Sequence, residues 1–281
     1  MWKTFNELKE QKINISGWYT DNVGLIPYNV KLQNNNVLFT KEKIKEDDIS
    51  KDIFMTSAGE IDLYDEGEFG GRLEIGGKFI CKGNFSQIFE VNNHKYVLDS
   101  LKHMTCGTFR LIEIFDNGTV EVLYDADKLS ELHKQFYSLE NIDYKNLSDE
   151  LKKQYQVFLD YQIGLDGYFI DGTCVKFLCS GTIFDLEKDV KDRYNSIIYL
   201  LVFDTETKQF YEMDLTDTLL SYSYVTSIVI HQNKLYIGCD KMIIEVDLET
   251  KVVKYFTDIE DSLIDEVVNY KKTFLERSDG V

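Results

Sequence analysis

Short apolar runs, each closed by a polar turn, recur along most of this chain. The clearest stretch is 226–258: Ile228-Val229-Ile230 is apolar, Gln232-Asn233-Lys234 is polar, and Leu235-Tyr236-Ile237-Gly238 is apolar again. An apolar run over 242–246, a turn over 247–251 and a last run over 252–256 complete the set. This rhythm predicts an antiparallel meander of three or four strands. A single meander leaves one face uncovered, so neighbours of the same kind are expected.

Those neighbours are present as an internal repeat. Residues 86–97 match 226–237 without a gap, with Asn93 against Asn233 in the turn and Tyr96 against Tyr236 in the returning run. The second halves also match: Leu111-Ile112-Glu113-Ile114, the turn Asp116-Asn117-Gly118 and the run 120–124 parallel 243–256. A third copy runs through 197–202, Asp204-Thr205-Glu206-Thr207-Lys208 and Phe210-Tyr211, and its turn echoes Asp247-Leu248-Glu249-Thr250-Lys251. A fourth spans 167–186 around Asp171-Gly172. Upstream, Leu73-Glu74-Ile75, Gly76-Gly77 and Lys78-Phe79-Ile80 read as a hairpin, since two glycines supply the positive φ values of a tight turn. Val30-Lys31-Leu32 and Val37-Leu38-Phe39 flank a further turn at 33–36.

Repetition of a strand–turn–strand unit marks a propeller or another repeat array. At ~40–45 residues per blade, the chain has room for about five or six four-stranded blades in one domain over 1–281. The Asp-x-x-Thr-Lys turn resembles the outer hairpin of bacterial β-propeller repeat proteins with units reading Leu-Tyr-x-Gly … Ile-Asp-x-x-Thr-Gly/Lys. The resemblance covers roughly 53–125 and 163–258. It lacks the Gly-His…Trp-Asp pair, implies an all-β propeller fold, and carries no activity with it.

Three segments depart from the strand rhythm. Trp2, Phe5 and Leu8 are spaced for one face of a short helix. Within 127–159, Leu129, Leu132 and Phe136, then Leu147, Leu151, Tyr155 and Phe158, predict two short inserted helices. Leu263, Val267, Tyr270 and Phe274 share a face of a C-terminal helix, with Ser262 and Asp265 forming a capping-box pattern, although a closing strand over 267–274 fits the same residues.

Charge narrows the partners. Asp and Glu total 49 against 31 Lys and Arg, a net charge of −18. Direct binding to nucleic acid or an anionic membrane is disfavoured, because affinity there comes from Lys and Arg displacing counterions. A basic protein would be attracted and its association speeded; alternatively, acidity simply keeps a monomer soluble. The first dozen residues lack a signal-peptide pattern, no apolar run approaches the ~20 residues of a membrane span, and five scattered cysteines fit reduced thiols. The expectation is a cytoplasmic monomer.

Candidate chemistry is sparse. His103, in Leu101-Lys102-His103-Met104-Thr105-Cys106, falls in an eight-residue insertion relative to the other repeat: Tyr96 to Leu111 is fifteen positions, Tyr236 to Ile243 seven. A histidine in a connecting loop at a blade end suits proton transfer, or merely bonds a neighbouring blade. Asp65, Glu66, Glu68 and Arg72 surround Gly70-Gly71 in a loop that could contact a ligand or be a solvated bulge; it lacks the ligand order of an EF-hand. Glu68, Arg72 and His103 are therefore the candidate ligand-binding residues. No catalytic set, no metal site and no cofactor motif is recognisable. Cys174 and Cys179 read as buried small hydrophobes, and His94 and His231, at hairpin turns, as surface residues. Two readings follow. The first is a non-catalytic propeller that binds a basic protein, concretely an immunity-type inhibitor covering a toxin such as a nuclease. The alternative is a hydrolase- or lyase-class enzyme, or a small-ligand binder, working at the mouth of a propeller channel around His103 and Glu68.

Overall fold

A computed structural model describes residues 1–12, 27–41, 53–67, 70–103, 106–126, 148, 161–184, 194–218, 224–260 and 264–265. The fold class is all-β, with five antiparallel sheets of blade size, the set expected of a β-propeller. The inserted helices expected over 127–159 lie outside the described residues. So does the C-terminal helix, apart from helical backbone at Ile264 and Asp265.

Chain contacts divide the protein into two compact units, one of residues 1–50, 167–171 and 214–281, the other of 51–166 and 172–213. In the first, β1 (Lys3–Thr4), β3 (Asn29–Gln33) and β4 (Asn36–Thr40) form a three-stranded sheet in the order β1-β4-β3. β17 (Val225–His231), β18 (Lys234–Cys239), β19 (Ile243–Asp247) and β20 (Val253–Thr257) form the predicted meander, and β2 (Lys9–Gln11) adds a fifth strand on β20. The helix expected from Trp2, Phe5 and Leu8 is instead β1, a 3-10 turn at Phe5–Glu7, and β2. Phe5 still packs, edge-on to Tyr236 at 4.9 Å and against Phe256 at 4.6 Å. The helical signal is the spacing of three apolar residues, and a 3-10 turn packs Phe5 and buries Leu8 while β2 gains ladder bonds.

The two sheets share a core of Leu8, Tyr28, Val30, Val37, Phe39, Val229, Tyr236 and Ile243. Close approach depends on Gly238. The Tyr28 amide donates to the Cys239 carbonyl at 2.9 Å, and a Cβ on Gly238 would stand 2.3 Å from the Tyr28 carbonyl oxygen.

The other unit holds β5 (Met55–Thr56), β6 (Gly59–Asp65), β7 (Gly71–Ile75) and β8 (Lys78–Lys82) in sequential order. β9 (Phe85–Val91), β10 (His94–His103), β11 (Cys106–Ile114) and β12 (Val120–Asp125) make the next sheet. Ile61, Leu73, Ile75, Phe85, Val97, Ile112 and Ile114 form one core cluster here. β13 (Tyr161–Asp171), β14 (Cys174–Phe184), β15 (Tyr194–Asp204) and β16 (Gln209–Asp214) form the last sheet, of which residues 161–166 and 172–213 belong to this unit. Phe109 meets Phe177 at 5.2 Å, Tyr96 meets Phe203 at 5.5 Å, and Tyr124 meets Phe210 at 5.2 Å. Aromatic faces of this kind bury large areas and favour tilted or edge contacts.

Turn chemistry sets the registers. Asn34-Asn35, Gly76-Gly77, Asn92-Asn93 and Gln232-Asn233 all have positive φ at both positions, between 49° and 72°. That is the two-residue hairpin turn whose twist matches the strands, and Asn tolerates it better than most residues. In the third copy and the meander, Asp204 Oδ1 accepts the amides of Glu206 and Thr207, and Asp247 Oδ1 those of Glu249 and Thr250. These donors hold both carboxyls below the usual carboxylate range.

The repeat is genuine in register. Tyr96 pairs with Phe89 and Glu113, and Tyr236 with Val229 and Glu245. Ile88 faces Val97 as Ile228 faces Ile237. The eight extra residues lengthen the β10–β11 hairpin, whose ladder runs without a shift, while β10 shifts register against β9 at Leu98/Asp99.

Candidate functional site

Of the three expected ligand residues, Glu68 lies outside the described residues. Arg72, on β7, is engaged within its own sheet: Nε donates to Glu74 Oε1 at 2.6 Å, Nη1 to Glu66 at 3.3 Å, and the guanidinium lies 3.9 Å from the Tyr64 ring centre. The Glu74 bond raises its pKa. His103 is the last residue of β10, its backbone paired with Cys106 of β11, so the described residues of the insertion are strand where a loop was expected.

The lengthened hairpin positions a different pair. Asp99, almost fully buried, accepts from Arg110 Nε at 2.7 Å and again from Arg110 Nη2. Its other oxygen takes the Asn84 amide at 2.6 Å, and Arg110 reaches the Lys82 carbonyl at 3.2 Å. Asn84 Nδ2 in turn donates to the Gly67 carbonyl at 2.6 Å. The loop singled out in the sequence is thus tied to the next sheet by an arginine, a buried carboxylate and an asparagine.

The repeat builds a second kind of node twice. Glu113, 2% exposed, receives Lys208 Nζ at 2.6 Å and His94 Nδ1 at 2.6 Å on the same oxygen. Lys208 also reaches the Tyr96 hydroxyl at 3.3 Å. Burial alone would lower the Lys208 pKa; the bonds to Glu113 and Tyr96 outweigh it and raise it. A left-handed backbone at Lys208 (φ 57°) ends the Asp204 turn and sends its side chain to the neighbouring sheet. At the equivalent positions, Lys234 Nζ donates to buried Glu245 at 2.9 Å. Tyr236 bonds the same carboxylate, and burial first, then the Glu245 charge, pushes its pKa up. Lys234 therefore stands where His94 stands, Tyr236 where Tyr96 does and Glu245 where Glu113 does. The gapless match of 86–97 with 226–237 superposes Tyr96 on Tyr236, and the match of the second halves across the eight-residue insertion superposes Glu113 on Glu245; a glutamate repeated inside an apolar strand is the signal to follow. His94, expected as a plain surface residue, is half-exposed and bound to a buried carboxylate.

In the first unit, buried Tyr28 bonds Thr257 Oγ1 at 2.9 Å and also Asp258 Oδ1, which Lys41 Nζ reaches at 2.8 Å. Burial opposes ionisation of Asp258, yet the Lys41 and Tyr28 bonds hold its carboxyl below the ordinary range. Burial and the Asp258 bond push the Tyr28 hydroxyl far up.

Chemically these clusters are closed. The buried carboxylates Asp99, Glu113 and Glu245 are each paired with a cation and a further donor of the same chain, as buried charge requires. Among the described residues, no group of three or more His, Cys, Asp or Glu is placed to hold a metal ion, and Cys81, Cys174, Cys179 and Cys239 form no disulfide. No helix of the described residues is long and apolar enough to cross a membrane.

No family model and no curated protein matches the chain. Among solved structures, a mutant Synechocystis apocarotenoid oxygenase is similar over 71% of this chain and 46% of its own, at 6% identity and a TM-score of 0.30. Cobalt-substituted Synechocystis ACO matches over the same shares at 9% identity and a TM-score of 0.28. The chain spans less than half the length of these proteins, and at such TM-scores the likeness bears on neither activity nor ligand.

Proposed function

We propose that the chain is a non-catalytic binding protein for a basic protein partner. The observation that supports this most directly is how the cations are used. Arg110, Lys208 and Lys234 are committed to the buried carboxylates Asp99, Glu113 and Glu245, and Lys41 and Arg72 to Asp258 and Glu74. The net charge of −18 is therefore carried by exposed carboxylates such as Glu60, Asp65, Asp116, Glu121, Glu206 and Glu212. Turns and strands with short connections hold these side chains on rigid backbone, so little ordering entropy opposes docking. Complementary charge speeds encounter and rejects acidic competitors. An inhibitor of the immunity type, covering the basic cleft of a toxin such as a nuclease, is the concrete form of this reading, with bacterial β-propeller repeat proteins as the architectural class.

The test is competitive capture on the immobilised chain, beside a variant carrying Glu60→Lys, Glu121→Lys and Glu206→Lys. The expected result is retention of a basic polypeptide by the native chain at low salt, lost in high salt and lost with the variant. Retention that survives both changes, or an acidic partner, overturns the proposal.

A further inference from the structure

The first unit contains a pocket of about 290 Å³ whose chemistry differs from the rest of the chain. The 3-10 turn at Phe5–Glu7 and the hairpin turns of β3–β4 and β17–β18 converge on it. Asn6, Asn35, His231 and Gln232 line it, together with half-buried Phe5 and buried Tyr236. None of its lining residues is Asp, Glu, Lys or Arg, in a chain of which 28% of residues are charged. No side-chain hydrogen bond holds Asn6, Asn35, His231 or Gln232 among the described residues. Their groups are thus available to a ligand, in contrast to the cation-paired nodes at Glu113, Glu245 and Asp99.

We infer that this pocket binds a neutral, polyhydroxylated ligand of the size of one sugar ring. Its volume sits at the lower bound of the ~300–1,000 Å³ of small-molecule pockets, which limits the ligand to one ring. Each primary amide offers both donors and an acceptor, as each sugar hydroxyl does, so a ring of amides satisfies a ring of hydroxyls without leaving charge. Half-buried Phe5 adds apolar aromatic surface against which C–H groups of the ring can pack. No Asp, Glu, Lys or Arg lines the pocket to fix an ionic ligand, and an anionic one is repelled by the chain as a whole.

The test is titration with glucose, galactose and N-acetylglucosamine, with glucuronate as the charged comparator, read from the side-chain amide resonances of Asn6, Asn35 and Gln232. Asn35 (φ 60°) and Gln232 (φ 49°) both have left-handed backbone, so the double variant Asn35→Gly, Gln232→Gly removes the amides while keeping the turns. Expected is saturable shifting by at least one neutral sugar, with a dissociation constant on the order of millimolar, weaker for glucuronate. At about fivefold per lost hydrogen bond, the folded double variant binds roughly 25-fold more weakly. No saturable shift with any of the three neutral sugars overturns the inference. So does undiminished binding by the variant, or tighter binding of glucuronate than of glucose.

Discussion

Replacing Lys208 by Met keeps the length and apolar stem of the side chain and deletes the charge that neutralises Glu113. The Glu113 side chain is 2% exposed and its Oε1 lies 2.6 Å from Lys208 Nζ. Stripping the partner from a wholly buried pair costs about 3–5 kcal/mol. Here Lys208 is 36% exposed and His94 still reaches the same oxygen at 2.6 Å, which brings the expected loss to about 2 kcal/mol. In a thermal melt that is a fall of roughly 4–8 °C. Glu113→Gln removes the buried charge itself and costs only about 1 kcal/mol. The double variant should then cost less than the sum by about 1 kcal/mol, because the orphaned carboxylate no longer exists. Urea midpoints of the wild type, the two single variants and the double variant complete the cycle. A Lys208→Met change within about 0.5 kcal/mol of wild type, or strict additivity, would refute the neutralised-node reasoning.

The repeat predicts an asymmetry: Lys234→Met costs about 3 kcal/mol, more than Lys208→Met, since no imidazole backs up the Lys234–Glu245 pair, and the same urea measurement ranks them. Gly238→Ala pushes a Cβ to 2.3 Å from the Tyr28 carbonyl oxygen; backbone must move, and a loss of about 1–3 kcal/mol should appear as a lower melting temperature. Tyr28→Phe deletes the hydroxyl shared by Thr257 and Asp258 and costs about 1–3 kcal/mol. Two pH effects have opposite signs. The lowered Asp258 carboxyl contributes stability that is complete above pH ~4 and lost as pH falls through its depressed folded value. The raised hydroxyls of Tyr28 and Tyr236, with Tyr168 pushed up to about 12 by burial, contribute stability complete below pH ~10 and lost as pH rises. An alkaline titration at 295 nm should show part of the phenol absorbance appearing only on unfolding.

Much of the fold was legible because the turns announce themselves. Asn-Asn, Gly-Gly and Gln-Asn pairs adopt the left-handed backbone that hairpins need, and apolar runs between them can only be strands of matching length. The register of Tyr96 and Tyr236 followed from a gapless alignment. The N-terminus was misread because Trp2, Phe5 and Leu8 fit a helical face, whereas the decisive interaction, β2 pairing with β20, joins residues about 245 positions apart. Extra residues in a repeat suggest a loop around His103; continued alternation into an extended hairpin is an equally good use of them. Pairings such as Lys208 with Glu113 and Tyr28 with Asp258 depend on which sheets stack, and a periodicity confined to one hairpin does not encode that. The sugar-sized pocket was invisible for the same reason, since three turns distant in sequence build it.

Electrostatic recruitment of a basic protein is tested most directly by the association rate of the purified complex as a function of ionic strength. With −18 charges concentrated on exposed carboxylates, the rate constant should fall at least about tenfold from low to high salt, as the Debye length contracts from ~30 Å to ~3 Å, while dissociation changes far less. An association rate that stays flat across that range would contradict the account.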